Sequence, residues 1–293
     1  MSVTKGMADK FRFSTSQVFN YAKDSYLERT SRPIYAIVFL LPFIAFYELG
    51  TILINTDVLN QSQVRVVAFV WMQQLLDYLG FGGKFVWAAP ALMVVVILAA
   101  LQLVSGKKWH VWSADFIPMA IECMLLAVPL IVLSLFLHTA MTGRSVAAGY
   151  HAPATVTLAV VQPPAASPHA ATLLADIVTG VGAGIYEELI FRLFLICLLM
   201  LFFQDLLGLG KRNSIILSVL ISAALFSAHH HVDLLNGQFN TVDAFDWAKF
   251  AFRTIAGVYF AILFAIRGFG ITAGTHAFYD IIATLVNALF FYR

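Results

Sequence analysis

The chain has 293 residues, of which 60% are hydrophobic and 12% charged, and its mean hydropathy is +0.84. Soluble domains carry about 25% charged residues, so the composition excludes a soluble globular domain and points to a polytopic membrane protein. The formal net charge of +2 is small and scattered, which gives no case for a nucleic-acid partner. The two cysteines, Cys123 and Cys197, both lie in apolar runs and read as buried thiols, with no support for a disulfide framework or a cysteine zinc site.

In chain order, residues 1–32 mix Lys5, Lys10, Arg12, Lys23, Arg29 and Arg32 with Phe11, Phe13, Val18, Phe19, Tyr26 and Leu27. This segment lacks the apolar core of a cleavable signal peptide. It reads either as an interfacial amphipathic helix or as a basic tail that orients the first span. Stretches of about 17–25 apolar residues can cross a bilayer. They fall at 33–54, 85–104, 117–138, 172–203, 214–229, 247–266 and 270–291. A further stretch, 66–81, is interrupted by Gln73, Gln74 and Asp77 and preceded by Arg65, so it reads as a short span or a surface helix, and the role of residues 55–84 stays open.

The expectation is an all-α transmembrane bundle of seven or eight spans with a polar intramembrane cavity. With no repeat and no long linker, residues 33–293 form one membrane domain. Lys107, Lys108, Lys211, Arg212 and Arg267 fall on the side of the basic N-terminus if 66–81 does not cross, which by the positive-inside rule makes the N-terminus cytoplasmic. The loop 139–171, whose only Lys or Arg is Arg144, and the acidic segment 232–246 then lie outside.

Charge inside the apolar runs is the informative feature, because a carboxylate or guanidinium at the bilayer centre costs about 3 kcal/mol or more. Glu187, Glu188 and Arg192 lie within 172–203. On a helix, Glu188 and Arg192 share a face in the favourable acid-to-base order, while Glu187 is turned about 100° away. One carboxylate can be neutralised structurally while the other acts as a base on water. The alternative is a structural ion pair with Glu187 solvated at a helix end. Next come His229, His230 and His231, three neighbours pointing three ways, of which at most two can line a given cavity; by themselves they also read as an interfacial cap. Last, His276 and Asp280 stand at i and i+4 near the start of the final span, placed to bind a metal, polarise a carbonyl, or satisfy each other. Glu48 and Glu122 lie near span ends, where a local hydrogen bond or snorkelling competes with a place along the cavity. The Gly180-x-x-x-Gly184 spacing suits close helix contact.

In order, Glu187-Glu188-x-x-x-Arg192, Phe226-x-x-x-His230 and His276-x-x-x-Asp280 resemble the motifs of the CPBP (CAAX protease and bacteriocin-processing, or Abi) family of intramembrane proteases. The resemblance covers residues 173–291. It implies an intramembrane endopeptidase acting on a membrane-associated protein or peptide. Glu187 and His230 would activate the attacking water, His276 with Asp280 would stabilise the oxyanion, and Glu188, Arg192 and Phe226 would support the site. One departure stands out: position 280 is Asp, where the family often has Asn, and an ionised Asp donates no hydrogen bond. Glu187, His230, His276 and Asp280 would also make an acceptable oxygen and nitrogen set for zinc, so the cofactor is either none or zinc. The rival reading is an ion- or proton-coupled transporter using the same groups as a relay. On straight helices, Glu187 lies about 24 Å from Phe203 while His276 lies about 9 Å from the Arg267 side. A tilt, a break near residues 180–184 or a late start of the last helix is then needed to bring them level.

Overall fold

A computed structural model describes residues 21–54, 65–81, 87–147, 169–231 and 245–290, with side chains at 138–147 and 169–172 left aside. The first twenty residues of the basic segment, the loop 148–168 and most of the acidic segment 232–246 lie outside these. Among the described residues there is no strand. The helices are α1 (Tyr26–Thr30), α2 (Pro33–Ile54), α3 (Val67–Leu76), α4 (Ala89–Ser105), α5 (Phe116–Ala147), α6 (His169–Glu188), α7 (Lys211–Ala228), α8 (Trp247–Arg267) and α9 (Phe269–Phe290). Beyond Glu188, α6 runs on through a wide π-helical stretch, Leu189–Leu195, and further helical turns to Leu206.

Six helical stretches among the described residues are long and apolar enough to cross a membrane: Pro33–Ile54, Ser113–Leu137, Leu173–Leu206, Lys211–Ala228, Trp247–Arg267 and Phe269–Phe290. Ala89–Ser105 is apolar but has 17 residues. The chain is therefore a multi-pass integral membrane protein with an all-α bundle. The ambiguous stretch 66–81 forms only the ten-residue α3, about 15 Å long at 1.5 Å per residue, which is too short to cross. It ends in a wide turn at Asp77–Phe81, where Gly80 takes a positive φ of 88° that favours glycine. Residues 139–147, expected in a loop, instead continue α5.

Small residues set the helix spacing, as is usual where lipid supplies no hydrophobic drive to associate. A Cβ on Gly184 would lie 2.5 Å from the Ala277 nitrogen, and one on Gly180 would lie 2.6 Å from Asp280 Cβ. The Gly180-x-x-x-Gly184 spacing thus brings α6 into antiparallel contact with α9. Gly270 and Gly274 do the same for α9 against Ala36 on α2 and against Phe39 and Cys123. On α8, Gly257 abuts Ala223 of α7.

One end of the bundle is tied by ion pairs. Arg29 grips Asp115 with two contacts of 2.9 Å, and Tyr35 adds a hydroxyl to the same carboxylate at 2.8 Å. Arg32, buried, meets Asp24 and Glu28, and Lys108 meets Asp24 at 2.8 Å. Arg267 holds Glu122 and donates to the Leu27 carbonyl at 3.0 Å, and Tyr26 donates to Glu122 at 2.7 Å. Residues 21–32 are therefore docked against the bundle, and Lys107, Lys108 and Arg267 stand at the same end as the N-terminal segment. Glu122 resolves as a locally paired carboxylate.

Candidate active site

Glu187 and Glu188 are the last two residues of the regular part of α6, and Arg192 lies in the π-helical stretch that follows. Such stretches leave backbone groups without their usual partners and recur at functional sites. Here the Phe191 carbonyl accepts from Ser222 Oγ on α7 at 2.6 Å. Arg192 Nε stands 3.0 Å from Glu188 Oε2, so the i, i+4 pair expected from sequence forms, fully buried. The guanidinium also reaches the Gly257 carbonyl at 3.5 Å and sits 4.2 Å from the centre of the Phe226 ring.

The other oxygen of Glu188 accepts from His276 Nδ1 at 2.7 Å. His276 Nε2 faces Asp280 Oδ2 at 3.5 Å, and its ring stacks on Phe260 at 4.5 Å. Arg192, Glu188, His276 and Asp280 thus form a continuous line of groups across α6 and α9. The difference in level expected from straight-helix counting does not arise, and α6 has no break at residues 180–184. The stretch Leu173–Leu206 has 34 residues, about 51 Å of helix. That exceeds a core of about 30 Å, so Phe203 does not mark a membrane face.

The histidine cluster is arranged by the end of α7. The His230 nitrogen turns to the Ser227 carbonyl in a tight last turn, leaving the Phe226 carbonyl among those a helix end cannot satisfy internally. Two imidazoles fill the gap: His229 Nδ1 at 2.5 Å and His230 Nδ1 at 2.8 Å from Phe226 O. Their rings lie 3.8 Å apart. His229 Nε2 stands 3.5 Å from Glu187 Oε1, and single donor atoms of Glu187, His229 and His230 all lie within 4.8 Å of one another. His231 turns away to Arg253, 3.3 Å from its Nη1.

Every residue named in the three motifs is in this neighbourhood, but in two subclusters. Glu187 and His230 share one; Glu188, Arg192, His276 and Asp280 make the other, with Phe226 between them, 5.3 Å from His230 and 6.0 Å from His276 by ring centres. The zinc set drawn from sequence spans both subclusters, whereas the donors gathered closely are Glu187, His229 and His230, which would suit zinc as one oxygen and two nitrogens. His229 is the residue that sequence reasoning passed over. Its signal was its position at the helix end, three residues after Phe226. Trp71 on α3 was also missed; its ring lies 5.8 Å from His229 and 6.4 Å from Phe191. Glu48 takes a separate role beside the site, accepting from Tyr186 at 3.2 Å and pairing with Arg65 at 3.4 Å.

Fold and geometry define a helical membrane protein with a buried carboxylate–imidazole centre. A family model described as type II CAAX prenyl endopeptidase Rce1-like matches residues 169–282. The matched segment, less than half of the chain, is the one that carries the three motifs; the match agrees with their resemblance to the CAAX protease (CPBP) family and supports a CAAX-type intramembrane endopeptidase in general. No curated protein and no solved structure matches the chain.

Proposed function

We propose that the chain hydrolyses a peptide bond near the end of a membrane-associated protein or peptide, using a water held by Glu187, His229 and His230. The convergence of acceptors carries this reading. Both histidines place Nδ1 on the Phe226 carbonyl, so Nδ1 carries the hydrogen and Nε2 presents a lone pair. The Glu187 carboxylate adds another acceptor 3.5 Å from His229 Nε2. Acceptors facing one another so closely repel unless a donor lies among them. A water supplies two hydrogens and turns a lone pair outward.

The chemistry then follows. Glu187 takes a proton from the water as the oxygen bonds to the carbonyl carbon, and the tetrahedral intermediate carries its charge on the former carbonyl oxygen. His276 Nε2, sharing its proton with Asp280, donates to that oxygen. The C–N bond breaks, the proton held by Glu187 passes to the leaving amine, and the new carboxyl group loses its own proton to solvent. Glu188 and Arg192 fix His276 in its ring orientation. The N-terminus faces the cytoplasm, a reading supported by the basic residues Lys107, Lys108 and Arg267 clustered at its end of the bundle.

The test is cleavage of a prenylated CAAX-type peptide by the purified chain in lipid vesicles. His229→Ala and His230→Ala should each lower kcat by about 100-fold or more, as expected for groups that handle the nucleophile, while each variant keeps a cooperative melting transition. If both variants cleave like wild type, the water does not sit at this cluster.

A further inference from the structure

Charge developing on a carbonyl oxygen needs preorganised donors about 3 Å away, commonly more than one. The donors around this centre are few. The carboxylates of Glu187, Glu188 and Asp280 donate nothing when ionised. The Nδ1 hydrogens of His229 and His230 go to the Phe226 carbonyl, and that of His276 goes to Glu188. Arg192 spends Nε on Glu188 and Nη2 on Gly257, and its guanidinium is taken up between the Phe226 and Phe260 rings at 4.2 and 5.5 Å. His276 Nε2 remains, shared with Asp280. The amide hydrogen that an Asn at position 280 would offer is missing.

Arg192 Nη1 is also buried without a hydrogen-bond partner among the described residues, but its guanidinium is committed to Glu188 and to the Phe226 and Phe260 rings; one further donor remains beside the centre. Trp71 Nε1 is buried and has no hydrogen-bond partner among the described residues. An indole N–H can only donate, and a buried polar group without a partner calls for an explanation. Trp71 stands in the wall of the same centre, against His229 and Phe191. The helix that presents it is firmly held. Ala68, Phe69 and Met72 are buried, Phe69 lies 5.7 Å from Tyr47 and 5.0 Å from Tyr186, and the Val66 nitrogen donates to the Tyr47 hydroxyl at 3.3 Å.

We infer that Trp71 Nε1–H donates to the scissile carbonyl oxygen, as the second oxyanion donor beside His276. The indole that carries the orphaned donor thus packs against His229, one member of the Glu187, His229 and His230 cluster, and a substrate carbonyl would pair its N–H while the carbonyl carbon meets the water. Trp71 comes from α3, outside the segment that matches the family. The N-terminal half therefore supplies part of the reacting centre, compensating for the Asp at position 280.

This inference rests on the peptidase reading above, so wild type and Glu187→Gln are measured alongside as references. Trp71→Phe keeps an aromatic ring against His229 and Phe191 and removes the N–H. In lipid vesicles with a prenylated CAAX-type peptide, its kcat should fall about 100-fold, the loss typical of one oxyanion donor. KM and the melting temperature should stay close to wild-type values, because the donor is worth far more to the oxyanion of the transition state than to the neutral carbonyl of the bound substrate. Affinity for a peptidyl phosphonate, a tetrahedral mimic, should fall in step with kcat. If Trp71→Phe fails to fold, benzothienylalanine at position 71, which replaces the N–H by sulfur with little change of shape, gives the same readouts. A variant lacking the N–H that keeps wild-type kcat and phosphonate affinity overturns the inference and leaves Trp71 as a wall. A wild-type chain that cleaves no more than Glu187→Gln overturns the peptidase reading instead, and this inference with it.

Discussion

Two polar clusters hold most of the buried charge described in this protein, and they are built on different principles. At the N-terminal end of the bundle, the acids Asp24, Glu28, Asp115 and Glu122 each meet an arginine, joined by Lys107, Lys108 and hydroxyls from Tyr26 and Tyr35. Donors and acceptors are matched, and the result is a clasp that ties residues 21–32 to α5 and α8. In the centre formed by α6, α7 and α9, only half of the charge is matched in this way. Arg192 and His276 close around Glu188, whereas Glu187 Oε1 meets His229 Nε2 only at 3.5 Å and Trp71 Nε1 has no acceptor among the described residues. A cluster that only stabilises has no reason to leave such groups unpaired, since each costs about 1–3 kcal/mol. On the function proposed above, that mismatch is where the reacting molecule belongs.

The contrast can be broken most forcefully at the two arginines. Arg192→Met leaves Glu188 fully buried with only the His276 contact, and removing one partner of such a buried pair costs about 3–5 kcal/mol. Arg267→Met leaves Glu122 with Tyr26 and partial access to water, so the loss should be about 1–3 kcal/mol. Thermal unfolding in the same detergent should rank the two in that order; equal losses would mean that the burial of Glu188 is not what makes its pair matter.

Acid gives a smaller, graded test of the clasp alone. Lys108 and Arg32 hold the Asp24 carboxyl below its ordinary value. Burial by itself would raise Glu28, but Arg32 outweighs it and the net direction is also down. Groups with depressed values contribute stability that is complete above the ordinary carboxylate range, about pH 4, and is lost as pH falls through their folded values. Amide hydrogen exchange in α1 should therefore accelerate, relative to its intrinsic rate, below about pH 4 and not between pH 5 and 8. Exchange that loosens on the alkaline side would show that other contacts hold the segment.

Much of the bundle was legible in the sequence because apolar runs of span length leave little choice of structure. The stretch 66–81 was ambiguous, and the structure resolves it as a ten-residue helix ending ahead of a positive-φ glycine. Within one helix, the Glu188–Arg192 pair followed from spacing alone. Contacts between helices did not. The hydrogen bond from His276 to Glu188 depends on the antiparallel register that Gly180 and Gly184 set against Asp280 and Ala277, and depth counting from Phe203 pointed away from it. Motif spacing selected His230, but the open Phe226 carbonyl at the end of α7 holds His229 as well. Trp71 carried no signal, since its place beside His229 and Phe191 depends on how a short helix packs in the bundle.

The division of labour between the two adjacent glutamates is the centre of this reading, and one paired measurement tests it. Glu187→Gln and Glu188→Gln are compared for cleavage of a prenylated CAAX-type peptide and for melting temperature. Glu187→Gln should lose at least about 100-fold in kcat with a wild-type melting temperature, while Glu188→Gln should melt lower because Arg192 is left buried without its counter-ion. A Glu187→Gln variant that cleaves like wild type would contradict the assignment of Glu187 as the base.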